Sequence, residues 1–249
     1  MILDAAGRVL FLHAHPDDET LATGALIAEL VARGAEVAVV TATRGEQGEL
    51  TDPELTDDLV SLREAELAAA LEILGVHRHA FLGTPPARAD GLPPRRYTDS
   101  GMAWVTPELA GPGPGAGPDA LTAAEVAEAA ADLAGYVRWF APDVLVGYDR
   151  LGGYGHPDHV ACHHIALAAA ERTGVRFVEV ISGAGEPTLD QHRDRVAEAL
   201  RRYRSQLRID GDEVVHVGGQ RHRIPTVAAV AEVPPPPPAA GHQGTAGRR

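Results

Sequence analysis

Hydrophobic positions along the chain fall into short unbroken runs, separated by stretches with helical spacing. Arg8-Val-Leu-Phe-Leu-His13, Glu36 to Thr41, Asp143 to Tyr148 and Arg176 to Ile181 have the continuous apolar character of strands buried on both faces. His79 to Leu82 predicts a further, shorter strand. Between these runs, Thr20 to Arg33 carries Leu21, Ile27, Leu30 and Val31 at helical spacing and stops at Gly34. Ser61 to Leu74 predicts a second helix, with Ser61 as N-cap, Glu64 at the capping-box position and Gly75 beyond its end. Thr122 to Phe140, the segment that follows the Gly-rich turn Gly152 to His159 and runs to about Arg172, and Leu189 to Leu207 predict three more. The opening strand, helix and strand form a unit of about the shortest length that allows a parallel pair with a right-handed crossover. The expected fold class is therefore α/β: a Rossmann-like, mostly parallel sheet with helices on both faces. A small C-terminal β-hairpin is expected within Glu213 to Val233, around Gly218-Gly219.

Three segments break this pattern. Arg44 to Asp58 reads as an acidic loop, and Gly83 to Gly117 is too rich in Pro and Gly for a regular element. From Pro234 onward a run of five prolines and a polar tail predicts disorder, either as bare low-complexity chain or as a ligand for a proline-binding groove. The expected organisation is one domain over residues 1–233 and a disordered Pro-rich tail over 234–249.

Composition narrows the function classes. With 249 residues and 45% hydrophobic side chains, the chain can bury a sizeable core. Its 35 acidic residues outnumber 22 basic ones, for a net charge of −13, which argues against nucleic acid or an anionic membrane as partner. Every basic residue is arginine; lysine and asparagine do not occur. The single cysteine, Cys162, excludes an intramolecular disulfide and a Cys-rich zinc module. The first residues lack the pattern of a secretory signal, and no apolar run reaches membrane-spanning length, so a cytoplasmic protein is expected.

Two turns carry the chemistry. His15-Pro-Asp-Asp-Glu19 follows the first strand, at the carboxyl edge where open α/β sheets bind ligands. His15 and Asp18, three residues apart at a strand-to-helix turn, can converge on one metal ion, while Asp17 points elsewhere. The same aspartates could instead cap the helix that follows. Gly152-Gly-Tyr-Gly-His-Pro-Asp-His159 likewise follows a buried strand and opens a helix. In a parallel sheet both turns share one edge, and His159 completes a two-His, one-Asp set with a coordination position left open, the make-up of a catalytic zinc site. A glycine-rich phosphate cradle is the other reading of this turn, but neither phosphate-binding glycine signature occurs and a chain without lysine cannot form a P-loop. Zn²⁺ is the expected cofactor, and Fe²⁺ would accept the same set. No G-x-S-x-G nucleophile motif is present; Cys162 reads as a packing residue, and His163 and His164 as residues of helix faces.

The pair His15-Pro-Asp-Asp-Glu19 and Gly155-His-Pro-Asp-His159, in this order, resembles the LmbE-like or PIG-L family of zinc-dependent N-deacetylases, with the likeness running from about Val9 to Ala170. The resemblance implies His15, Asp18 and His159 as zinc ligands and Asp17 as general base. It further implies His156 as the group that meets the developing oxyanion or protonates the leaving amine, Asp158 as the orienting neighbour of His156, and Tyr154 as a mobile tyrosine that reaches the reacting carbonyl.

Tyr97-Thr-Asp-Ser-Gly-Met102, Leu62-Arg-Glu-Ala-Glu-Leu67 and Thr43-Arg-Gly-Glu-Gln-Gly-Glu49 resemble the mycothiol-pathway branch, which acts on N-acetylglucosaminyl-inositol. By that likeness Arg63, Asp99 and Met102 line the sugar and inositol pocket. Read without it, Arg63 is a solvated helix residue paired with Glu64 or Glu66, and Asp99 a turn residue. The chain departs from that branch in two places: His164 to Gln191 is too short for its usual insertion, and Gly218-Gly219 stands where its hairpin presents an asparagine. The expected function is zinc-dependent hydrolysis of an N-acetyl group from a small amino-sugar conjugate. The alternatives are an amidase or deacylase for a thiol conjugate or natural-product glycoside, or a non-catalytic metal- or sugar-binding homologue.

Overall fold

The computed structural model describes residues 2–52, 58–106, 109–114, 116–181, 187–227 and 229–234. In chain order its strands are β1 (Arg8–His13), β2 (Glu36–Thr41), β3 (Arg78–Phe81), β4 (Met102–Thr106), β5 (Leu109–Pro112), β6 (Val144–Tyr148), β7 (Arg176–Val180), β8 (Leu207–Asp210), β9 (Glu213–His216), β10 (Arg221–Arg223) and β11 (Val230–Glu232). The helices are α1 (Asp18–Ala32), α2 (Leu59–Leu74), α3 (Val126–Phe140), α4 (Gly152–Gly155), α5 (Pro157–Thr173) and α6 (Arg193–Leu200). Six strands form the central sheet in the order β11-β7-β6-β1-β2-β3, parallel except for β11 against β7.

Both faces of this sheet are covered, which is why its strands read as unbroken apolar runs. Val9 and Phe11 of β1 pack into a core with Leu26 and Ile27 of α1, Leu67 of α2 and Leu200 of α6. Leu10 and Leu12 point the other way, to Leu133 and Phe140 of α3 and Ile165 of α5. The alternation follows from the two-residue period of a strand. Each such side chain, fully buried, contributes roughly 1.5–3 kcal/mol. Cys162 lies inside this second core, in the packing role expected of it.

Several boundaries differ from the sequence reading. Asp58, and not Ser61, caps α2: its Oδ2 accepts the Ser61 N–H at 3.2 Å and the Ser61 hydroxyl at 2.8 Å, and the helix starts at Leu59. Glu64 has no capping-box task and pairs with Arg44. The Pro/Gly-rich segment expected to lack regular elements contains the hairpin β4–β5. The last long helix ends at Leu200, and Leu207 opens β8, which pairs with β9. The expected hairpin is β9–β10 around Gly218-Gly219, while the chain beyond it returns to the central sheet as β11. The Pro-rich tail after Pro234 and positions 53–57 of the acidic loop lie outside the described residues.

Candidate metal centre

β1 lies between β2 and β6, and the strand order reverses at this point, which opens a crevice at the carboxyl ends of β1 and β6. The turn after β1 carries His15 to Asp18, and the turn after β6 carries Tyr154 to His159. The two motifs, 143 residues apart between His15 and Asp158, meet there.

Asp18 Oδ2 is the point of convergence. It accepts the backbone N–H of His15 at 2.8 Å and lies 3.1 Å from His15 Nδ1 and 3.2 Å from His159 Nε2. The outward ring nitrogens of both histidines face acceptors: His15 Nε2 lies 3.2 Å from Asp158 Oδ2, and His159 Nδ1 lies 3.2 Å from the Gly152 carbonyl. When a cation displaces the inner protons, those outer contacts would hold the remaining ring protons and leave Nδ1 of His15 and Nε2 of His159 as ligand lone pairs. His159 Nε2 is buried without a hydrogen-bond partner among the described residues. Nitrogen and oxygen ligands at about 2.0–2.1 Å from a tetrahedral ion stand roughly 3.3 Å apart, close to the spacings here. The arrangement could hold a divalent cation. Ring nitrogens of His15, His156 and His159 also lie within 4.8 Å of one another, as do ligand atoms of His15, Asp99 and Asp158. Burial works against its charge, but His159 and His15 hold the Asp18 carboxyl well below the usual range. His15 is raised well above its usual value despite burial, by Asp99 and by hydrogen bonds to Asp158 and Asp18.

Asp17 sits at the N-terminus of α1 but makes no side-chain capping bond, so the helix-cap reading fails. Its backbone has φ 108°, in the region that Asp and Asn tolerate better than most residues. The Glu19 carboxylate accepts its N–H at 3.1 Å, and Glu19 is in turn hydrogen-bonded by Tyr203 at 2.5 Å. Arg63 donates to Asp17 Oδ2 at 3.1 Å, to the Pro16 carbonyl at 2.5 Å and to the Gly45 carbonyl at 2.9 Å. Burial pushes the Asp17 carboxyl up to about 8, against the opposing charge of Arg63. Arg63 is therefore not the solvated helix residue. It is buried beneath the first turn and committed to it. Gly45 makes room for the guanidinium, since a Cβ there would fall 1.8 Å from Arg63 Nη1.

His156 stacks on His159 with ring centroids 4.9 Å apart, and its Nδ1 accepts the Asp158 backbone N–H at 3.1 Å. That bond fixes the ring proton on Nε2. Burial, then the neighbouring histidine charges, lowers His156 to about 3. Asp158 does not orient His156 through its carboxylate, which turns instead to His15 Nε2, the Ser100 N–H at 2.9 Å and the Ser100 hydroxyl at 2.5 Å. The resemblance implied Asp158 as the orienting neighbour of His156; here Asp158 meets His156 through its backbone N–H, and its side chain reaches across to the β1 turn. Asp99 likewise faces inward. Its Oδ1 lies 3.5 Å from His15 Nε2, and it accepts the N–H groups of Gln47 and Gly101, while Glu46 accepts its own N–H at 2.9 Å. Although burial opposes it, the His15 charge lowers the Asp99 carboxyl below its usual range.

Tyr154 lies edge-on to His159, with centroids 5.2 Å apart, and is 41% exposed. Positive φ angles at Gly152, Gly153 and Gly155 make the sharp turn that presents it. Met102 opens β4 and is half-buried. The sequence reading overlooked Tyr148, whose ring stacks on His159 at 4.2 Å and whose hydroxyl accepts the Ala14 N–H at 3.0 Å. Its place as the last residue of β6 was the available signal. Ser100 and Glu46 were also missed, though both lie inside the motifs quoted for the mycothiol branch. His163 is buried against the Tyr148 carbonyl and Glu179, away from the cluster.

The family described as PIG-L, GlcNAc-PI de-N-acetylase, matches residues 10–170. The chain belongs to the PIG-L family. A Kineococcus radiotolerans protein named 1D-myo-inositol 2-acetamido-2-deoxy-alpha-D-glucopyranoside deacetylase is 47% identical over 171 residues, 67% of this chain and 45% of that protein. A Kribbella flavida protein of the same name is 40% identical over 219 residues, 85% of this chain and 69% of that one. This PIG-L chain thus spans about half the length of the first relative and somewhat over two thirds of the second. Among solved structures, the N,N'-diacetylchitobiose deacetylase of Pyrococcus horikoshii shares the fold with a TM-score of 0.60 at 21% identity, over 84% of this chain and 73% of that one. No helix among the described residues is long and apolar enough to cross a membrane.

Proposed function

We propose that this PIG-L chain hydrolyses the N-acetyl group of a 2-acetamido-2-deoxyglucosyl conjugate, with N-acetylglucosaminyl-inositol as the leading substrate. The observation that carries this reading is the convergence of His15 Nδ1 and His159 Nε2 on Asp18 Oδ2, with both outer ring nitrogens already engaged. The names of the relatives supply the substrate class. His15, Asp18 and His159 would hold the cation; Zn²⁺ suits this donor set, and Fe²⁺ would accept it. When bound, the cation supplies Lewis acidity to the amide carbonyl and to the attacking water.

Asp17, held by Arg63, takes the proton of that water. Hydroxide adds to the carbonyl carbon, and His156 donates its Nε2–H to the oxygen that becomes charged. As the C–N bond breaks, the proton taken by Asp17 passes to the leaving amine, so acetate and a free amino sugar result. Asp158 keeps His15 turned so that Nδ1 faces inward, and Ser100 holds Asp158.

The test is acetate release from N-acetylglucosaminyl-inositol by metal-loaded protein, abolished by a chelator and restored by Zn²⁺ or Fe²⁺. Metal-loaded protein that binds this conjugate without releasing acetate would leave the chain a binding homologue and overturn the reading.

A further inference from the structure

Trp104 of β4 is 46% exposed and stacks on Tyr154, with ring centroids 5.7 Å apart and planes 28° from parallel. Tyr154 in turn sets its ring against His159 and His156. The two aromatic rings therefore continue the His/Asp cluster outward to the surface, one ring-width at a time. The β4–β5 hairpin is seated firmly against the α4 turn. At Gly155, with φ +87°, a Cβ would come within 2.7 Å of Leu109 Cδ1 and 2.8 Å of the Ala110 carbonyl, so only glycine allows this approach. An exposed, stacked aromatic pair beside a polar site marks a place where a ring can bind.

We propose that Trp104, backed by Tyr154, is a stacking subsite for the ring joined to the N-acetylated sugar, a cyclitol or second sugar, and so selects conjugates over the free monosaccharide. This rests on the deacetylase reading above. If the acetamide lies at the His/Asp cluster, the N-acetylated ring fills the space beside His156 and Tyr154, and the next ring falls at Trp104. The C–H face of a saturated ring meets the electron-rich face of the indole. Trp104 touches the site through Tyr154 and acts on binding.

The test compares acetate release from N-acetylglucosamine, N-acetylglucosaminyl-inositol and an octyl N-acetylglucosaminide by the wild type, Trp104→Ala and Trp104→Phe. For the inositol conjugate, Trp104→Ala should raise KM about tenfold, the upper end of what an aromatic contact supports, with kcat within about twofold. KM for N-acetylglucosamine should not move, and Trp104→Phe should restore most of the loss. Equal effects on conjugate and monosaccharide, or a larger effect on the octyl glycoside than on the inositol conjugate, would overturn the proposal. The second result would make Trp104 part of an acyl- or alkyl-binding surface. If the wild type releases acetate from none of the three, the deacetylase reading fails by itself. Fluorescence then decides the subsite: Trp139→Phe leaves Trp104 as the sole tryptophan. Saturable quenching by the inositol conjugate, absent with N-acetylglucosamine, supports the subsite, and unchanged emission overturns it.

Discussion

Arg63 Nη2 donates to Asp17 Oδ2 at 3.1 Å from a side chain that is 4% exposed. The same guanidinium holds the carbonyls of Pro16 and Gly45, so one planar fork ties α2 to the turn that follows β1 and to the loop that follows β2. A helix residue 46 positions from Asp17 thereby sets the place of the proposed base.

Arg63→Lys retains the charge but cannot serve three acceptors in that geometry. We expect kcat to fall about 10–100-fold, as for loss of other groups that orient a site, with KM within threefold and metal content unchanged. The acceptors left without a donor should cost about 1–3 kcal/mol of stability. Steady-state kinetics and denaturant unfolding on the same preparation check both. A folded Arg63→Lys protein with normal kcat would remove Arg63 from the positioning role.

The sequence alone showed β1 and β2 residue for residue, because strands buried on both faces are continuous apolar runs with sharp polar ends. It also showed His15, Asp18 and His159 as one group, because parallel strands put both turns on a common edge. What it hid depends on long-range contacts. β4 and β5 stay in place through contact with the α4 turn, where Gly155 admits Leu109, and local pattern carries no sign of that. The helix read over Leu189 to Leu207 overruns α6, which ends at Leu200, and β8, which shares only Leu207 with that reading, depends on its pairing with β9. The bond from the Asp158 carboxylate to His15, 143 residues away in sequence, is likewise a long-range contact that local pattern does not show.

The turn of Asp158 makes a prediction for metal content. With its carboxylate removed, His15 loses the partner that keeps Nδ1 inward. Asp158→Asn should weaken Zn²⁺ binding about 10–100-fold, and His159→Ala should abolish stoichiometric binding. Because a ligand bound only by the native state stabilises it, Zn²⁺ at 100 times its Kd should raise the unfolding free energy of the metal-free wild type by about 2.7 kcal/mol. Metal analysis after dialysis and thermal scans with added Zn²⁺ measure these effects. Full metal occupancy in His159→Ala would show that other residues bind the ion, with the His15, His156 and Asp99 neighbourhood as the place to look.

Glu29 of α1 ties the C-terminal segment down by accepting from His192 at 2.6 Å and Gln191 at 3.1 Å. The hydrogen bond to His192, with a further one to Arg33, holds the Glu29 carboxyl below its ordinary value. A group lowered on folding contributes stability above its unfolded pKa of about 4.5 and loses it as pH falls through the folded value. Wild type should therefore melt higher than Glu29→Gln at pH 7, and the gap should close below about pH 4. Thermal melts of both proteins across this range check the sign. A gap that widens in acid would contradict it.

Separating metal binding from catalysis needs variants that keep the fold. Asp17 is suited to this, because it makes no capping bond with α1 and because Asn tolerates φ 108° about as well as Asp. Asp17→Asn should therefore melt within a degree or two of the wild type and retain its metal. Loss of a general base lowers the rate about 10²–10⁴-fold, and the variant should show a drop of that size in kcat. His156 caps α5 by accepting the Asp158 N–H, so His156→Ala should lose both a cap, about 1 kcal/mol, and the donor to the charged oxygen. His156→Gln is the control, since its amide can still donate a hydrogen bond but cannot supply a proton. If His156 only stabilises the oxyanion, Gln should recover part of the rate lost in Ala, and if it protonates the amine, Gln should recover none. The proposed division of labour predicts partial recovery, because the Nδ1 acceptor bond leaves a neutral Nε2–H donor facing the site. Near-normal turnover by Asp17→Asn would sink the base assignment, and Gln with no more activity than Ala would move His156 to the acid role.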